Sequence, residues 1–254
     1  MIDWARFTLF LYILMRMAGF VLFNPILGRQ NIPSMVRAGF SLVLALSVAS
    51  FTTQTVEVPR SLIEFAVKLL LELSVGFLLG IVVQFFFYIP VLAGEIVDTQ
   101  MGMTMAKTYD SGSQASMSVT STLFQVLMML LFFAANGHYT MLRILLTSGD
   151  IVPFGQAALG PDAANAVAEL FITCTLLGLK LALPILAAEL MGQVGMGILM
   201  KVIPQINVFS INIELKVIIG LAMVVLLMVP FGEFFLGVEN QMLVELQNVL
   251  AFAH

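Results

Sequence analysis

Charge is what this sequence has least of. Lys, Arg, Asp and Glu together make up 10% of its 254 residues, against about a quarter in soluble domains. That shortage excludes an ordinary water-facing surface. The few basic residues form no block, which argues against nucleic acid as a partner and against a polybasic lipid-headgroup patch. Cysteine occurs once, as Cys174 in an apolar run. It can form no internal disulfide and is most simply a small buried side chain. Histidine occurs twice, as His138 and His254. There is no His-Glu-x-x-His, no Gly-x-Ser-x-Gly, no phosphate-binding glycine loop and no cysteine pair, so neither an enzyme nor a resident metal or cofactor is expected.

What is there is apolar. Hydrophobic residues make up 60% of the chain and the mean hydropathy is +1.05, so the surface must be hidden in a membrane or a large assembly. Six apolar stretches stand out, at about 7–23, 38–51, 65–93, 123–135, 166–191 and 215–231. All read as helices, giving an all-α, integral-membrane class built from helical hairpins. At about 1.5 Å per residue the second and fourth reach only about 20 Å, short of a roughly 30 Å hydrocarbon core. The third and fifth are longer than a span requires, which suggests bent hairpins or helices projecting beyond the bilayer.

Those runs contain charges. Arg16 lies in the first, Lys68 and Glu72 in the third, and Glu169, Lys180 and Glu189 in the fifth. Each costs about 2.5 to 3.5 kcal/mol at mid-bilayer on insertion scales, so each implies a protein partner or a water-filled path. Lys68 and Glu72 can pair at i, i+4, although Lys before Glu is the weaker order. Gly76 and Gly80, and Ser41, Ala45 and Ala49, form small-residue steps that permit close helix contact, or simply reflect how common such residues are in membrane helices.

The N-terminus lacks a basic region and an Ala-x-Ala cleavage site, so a retained first helix is expected, with Trp4 beside Arg6 as an interfacial anchor or a plain surface residue. Basic residues in alternate connectors differ by one, so charge bias does not set the orientation. Asp162 after Pro161 could cap the fifth helix.

Between the third and fourth stretches lie Glu95, Asp98 and Gln100, then Met101, Met103 and Met105, with Met117 further on. Methionine is flexible and unbranched and can seal an irregular gap, as a deformable gasket requires. Chance clustering among 17 methionines is the plainer reading. Glu95 and Asp98 could share a proton if buried, or make a structural helix-to-loop contact.

Several local patterns occur in a specific order: Pro25-Ile26-Leu27-Gly28 with Ile32-Pro33 and Arg37, Gly94-Glu95 with Gln100-Met101-Gly102, Asp110 with Gly112-Ser113, Asn136-Gly137-His138, Leu183-Pro184, and Pro204-Gln205 with Val208-Phe209. Together they resemble the FliR family, which supplies a membrane subunit of the flagellar type III protein export gate and has counterparts in virulence secretion. The resemblance runs from the first helix to beyond residue 230.

The resemblance implies a bacterial inner-membrane subunit of the flagellar basal body. Its partners would be several copies of a larger gate subunit, a two-helix subunit, the export switch membrane subunit and unfolded flagellar export substrates, with membrane lipid around them. It implies likeness to the larger subunit over about residues 1–160 and to the two-helix subunit over about 165–254. The Gln-Ile-Asn segment at 205–207 and Lys216 look like that subunit's motif, which makes Gln205, Asn207 and Lys216 candidate contacts beside Arg16, Arg37, Lys68, Glu72, Glu95, Gln100, Lys180 and Pro184. The loop from about Ala106 to Thr122 corresponds to the plug of the gate, so Asp110, Gly112 and Ser113 join the four methionines as gate candidates. Two departures stand out: Ser111 where relatives often carry proline, which would soften the loop, and Glu214 where proline commonly precedes the final helix and where an acid could begin that helix. The rival class is a stand-alone secondary transporter, since charged helices interrupted by Pro184 and glycine also mark substrate sites.

Overall fold

The computed structural model describes residues 3–252 except 30, 53, 60, 104–117, 159 and 204–207, and only the backbone of 208–211. Among the described residues there are eight helices and no strand: α1 Trp4–Phe23, α2 Ser34–Phe51, α3 Leu62–Met101, α4 Val119–Ala134, α5 Gly137–Ile151, α6 Pro161–Val202, α7 Val208–Leu226 and α8 Met228–Ala251. Four of them, α1, α2, α3 and α6, are long and apolar enough to cross a membrane. The number rises to six if α4 with α5, and α7 with α8, each count as one broken span.

Contacts divide the chain into two compact units. Unit 1 comprises Met1–Phe86, Asn136–Ile172 and Glu239–His254, and unit 2 comprises Phe87–Ala135 and Thr173–Val238.

In unit 1, Asp3 caps α1 by accepting a hydrogen bond from the Ala5 amide at 3.2 Å. The helix buries Leu9, Tyr12, Ile13, Arg16, Met17 and Phe20, the three-and-four spacing of one helical face. It stops at Asn24 because Pro25 disfavours helical angles in the residue before it. Asn24 is extended and its side-chain oxygen accepts from the Ile26 and Leu27 amides. α2 packs on α1 and buries Ser41, Leu44, Ala45 and Val48.

α1 and α3 touch backbone to backbone. A Cβ at Gly19 would strike the Leu73 carbonyl, one at Gly76 the Arg16 carbonyl, and one at Gly80 Phe23. The small-residue step is therefore a contact made within the chain. Close approach of this kind gives packing that lipid cannot supply.

α3 and α6 contain 40 and 42 residues and are single helices through Pro90 and Pro184. Each runs about 60 Å, twice the hydrocarbon thickness. Hairpins were one expectation; uninterrupted helices longer than a span are what is found. α3 ends in a glycine cap: Gly102 has φ +80°, its amide donates to the Thr99 carbonyl, and the Met103 amide donates to the Asp98 carbonyl. That bonding pattern closes helices with a left-handed glycine.

Three local expectations change. α5 occupies a stretch read from the sequence partly as a connector. Its buried residues Gly137, Met141, Ile144, Leu145 and Ser148 have the spacing of an amphipathic helix, and Asn136 enters it in the left-handed conformation. Asp162 lies inside the first turn of α6 after Pro161, a favourable place for an acid but not the cap. Glu214 lies within α7, which has begun by Val208.

Candidate functional site

A buried charge network organises unit 1. Arg16 and Glu72 are both wholly enclosed, with Nε donating to Oε2 at 2.7 Å. Arg16 Nη1 donates to the Val152 carbonyl at 2.9 Å and to Ser148 Oγ at 3.3 Å, and the guanidinium lies 4.4 Å from the centre of the Phe154 ring. Glu72 Oε1 accepts from the Gly155 amide at 2.7 Å. Gly155 has φ +82°, and a Cβ there would press on the Tyr12 ring. Gln54 adds a second tie, donating to the Gly149 carbonyl and accepting from the Phe154 amide. α1, α3, α5 and the chain after α5 thus converge on one ion pair, whose members bond to each other and to backbone, while Arg16 Nη2 has no hydrogen-bond partner among the described residues.

In unit 2, two helix ends that flank residues 104–117 are held together. Asp98, wholly enclosed on α3, accepts from the amide of Thr120 at 3.3 Å and from its hydroxyl. The carboxylate therefore sits at the N-terminus of α4, where unpaired amides and the helix dipole favour an anion. Ser118 caps the same helix by accepting from the Ser121 amide at 2.9 Å, and Ser121 Oγ donates to the Val91 carbonyl. Gly94 permits the approach, since a Cβ there would meet the Ser121 backbone.

Further along unit 2, Met101 is wholly buried against Gly220 of α7, where a Cβ would collide with its thioether. Glu189 of α6 is wholly enclosed, and the Gly220 backbone amide of α7 approaches its carboxylate without completing a well-formed hydrogen bond. Lys216 of α7 acts on its charge without forming an ion pair within 4.0 Å.

The model for bacterial export proteins, family 1, matches residues 7–242. This chain belongs to that family, the family of FliR. It is 29% identical over 237 residues to the flagellar biosynthetic protein FliR of Escherichia coli (strain K12), covering 91% of this chain and 89% of the relative. It is 26% identical over 252 residues to FliR of Bacillus subtilis (strain 168), covering 96% and 95%. With FliR of Caulobacter vibrioides the identity is 27% over 212 residues, covering 83% and 84%.

In this FliR-family chain the sequence-derived candidates fall into three groups. Arg16 and Glu72 were expected at subunit contacts, but they bond to each other inside unit 1 and leave no surface for a neighbour. The expected Lys68–Glu72 pair is replaced by Lys68 with Glu64 at 3.0 Å, the stronger order, because Arg16 already holds Glu72. Met101 fills the interior of unit 2 instead of an opening.

The second group presents surface. Glu95, Lys180 and Pro184 are exposed, while Arg37, Lys68, Gln100, Met103 and Lys216 are partly so. Glu95 and Asp98 do not share a proton site, since Asp98 is enclosed with Thr120 and Glu95 is exposed. The third group, Met105, Asp110, Gly112, Ser113, Met117, Gln205 and Asn207, lies outside the described residues.

Sequence reasoning singled out Asp98 without its partner Thr120 and missed Glu239 of α8, a buried acid whose Oε2 has no hydrogen-bond partner among the described residues. Its spacing from Phe231, Phe235, Val238 and Met242, all buried, marks the inner face of α8 and was the available signal.

Proposed function

We propose that this multi-pass membrane protein is a channel-forming subunit of the flagellar type III export gate, through which unfolded flagellar proteins cross the bacterial inner membrane during flagellum assembly. The observation that carries the proposal is the match of over nine-tenths of the chain to proteins named for flagellar biosynthesis. A second support is physical. α6 is about twice as long as the hydrocarbon core is thick and leaves Leu190, Met191, Val194, Ile198 and Val202 exposed along its second half. A single span cannot place all of that surface in lipid, so neighbouring subunits are the fitting solvent.

In this reading the chain does no covalent chemistry. Its helices complete the wall of a passive conduit together with the larger gate subunit, the two-helix subunit and the export switch subunit, and energy comes from elsewhere. The loop from about Ala106 to Thr122 is assigned to the plug, with Met103, Met105 and Met117 as the compliant seal and Asp110, Gly112 and Ser113 as further gate residues. The Asp98–Thr120 contact and the Gly102 cap provide firm ends for that loop.

Deleting Ser111–Ser116 tests the plug. The assembled gate should form in normal yield while membranes containing it leak ions. Normal assembly with an unchanged leak would remove the plug assignment.

A further inference from the structure

Between Glu169 and Glu189, α6 carries a single charged residue, Lys180. Residues 170–188 cover about 28 Å of helix, close to the roughly 30 Å hydrocarbon core, with Lys180 within one residue of their midpoint. Four methylene groups fall well short of either interface from there, so snorkelling does not rescue the ammonium. Nor does the chain itself. No ion pair among the described residues includes Lys180. Glu189 is enclosed and, nine residues on, projects from the opposite side of the helix.

Lys180 is exposed on a face shared with exposed Leu176, Leu179 and Leu183. One turn further Pro184, also exposed, lies on that face. Proline has no N–H and cannot donate to the carbonyl four residues before it, which is that of Lys180. A single level of an apolar surface therefore presents an unmatched cation and a carbonyl deprived of its helical donor. Acyl chains satisfy neither, and lipid phosphates lie half a bilayer away.

We infer that this face of α6 docks a transmembrane helix of a partner subunit bearing a carboxylate at the level of Lys180 and, within one turn, a hydroxyl or carboxamide that donates to the freed carbonyl. The inference rests on the proposed role within a hetero-oligomeric gate and names the chemistry of one of its contacts. The three leucines close around the pair and exclude lipid and water, which strengthens the ionic contact. Lysine offers a point charge with rotatable donors, so arginine should substitute adequately and leucine should not.

The test uses the tagged full-length chain co-expressed with its gate partners and extracted in mild detergent, with the partner-to-chain ratio as readout. Lys180→Arg should keep at least half of the wild-type ratio, Lys180→Leu should lose at least fivefold, and Lys180→Glu should lose more. Changing one acid on a partner's membrane helix to lysine should restore the Lys180→Glu complex at least fivefold. Because Lys180 is exposed, these variants should match the wild-type chain in monodispersity. Wild-type ratios for Lys180→Leu and Lys180→Glu would show a lipid-facing surface and overturn the inference while leaving the gate reading in place. Failure of every acid-to-lysine change to rescue Lys180→Glu would overturn it as well. A wild-type chain that captures no partner would refute the gate reading itself.

Discussion

Arg16 of α1 and Glu72 of α3 meet at 2.7 Å with neither side chain exposed, and they are the point to which α5 and the residues after it attach. Arg16→Met would leave Glu72 charged and enclosed, with only the Gly155 amide as partner. Removing one member of a buried pair typically costs about 3–5 kcal/mol. Thermal unfolding of the purified chain should show a large loss for Arg16→Met and for Glu72→Gln. The double change Arg16→Met with Glu72→Leu should recover most of it, since no unpaired charge remains.

Gly76 and Gly39 provide a matched contrast. A Cβ at Gly76 would enter the Arg16 backbone, whereas one at Gly39 meets nothing within 4 Å. Gly76→Ala should therefore destabilise the chain by about 1–3 kcal/mol or more, since the colliding atoms are main chain. Gly39→Ala should stabilise it by up to about 1 kcal/mol through helix propensity. Yield and melting temperature of the two variants, prepared side by side, check the opposite signs.

Gly220→Ala in α7 pushes against the flexible side chain of Met101 instead of backbone. The expected cost is only about 1 kcal/mol, and Met101→Val should relieve part of it. A double-mutant cycle on melting temperature measures that coupling. Additive effects would show that the two residues do not share the space.

Asp98→Ala strips the Thr120 amide and hydroxyl of their acceptor, at about 1–3 kcal/mol. The change lies at the fixed ends of the proposed plug. Raised ion leak through normally assembled gates is the expected outcome, read with the same flux assay as the Ser111–Ser116 deletion. Thr120→Val should raise it in the same direction.

The helices that were legible in the sequence were the ones with long uninterrupted apolar runs. α1 and α2 follow their stretches closely because Asn24-Pro25 and Thr52 end them with local chemistry. α5 was read poorly because Asn136-Gly137 also fits a plain turn, and its polar residues hide a regular inner face. Side-chain pairing was not legible even at helical range, where Glu72 was expected as the partner of Lys68 and Glu64 is found. Lys68 has an acid four residues before it and another four after, and the better order, Glu64 first, is the one formed. Arg16 with Glu72 lies 56 positions apart and Asp98 with Thr120 lies 22 apart. Nothing in the periodicity of one helix specifies which residue of another it will meet, so those contacts follow from tertiary packing alone. Membership of the FliR family was legible because ordered motifs span the chain.

The most direct measurement is the mass and flux of the purified wild-type chain, extracted through a tag in mild detergent, weighed by native mass spectrometry and then reconstituted in vesicles. A particle several times heavier than the chain, containing the other gate subunits and passing no small solute until its plug is removed, is the predicted result. A stable monomer that transports a small molecule unaided would contradict it.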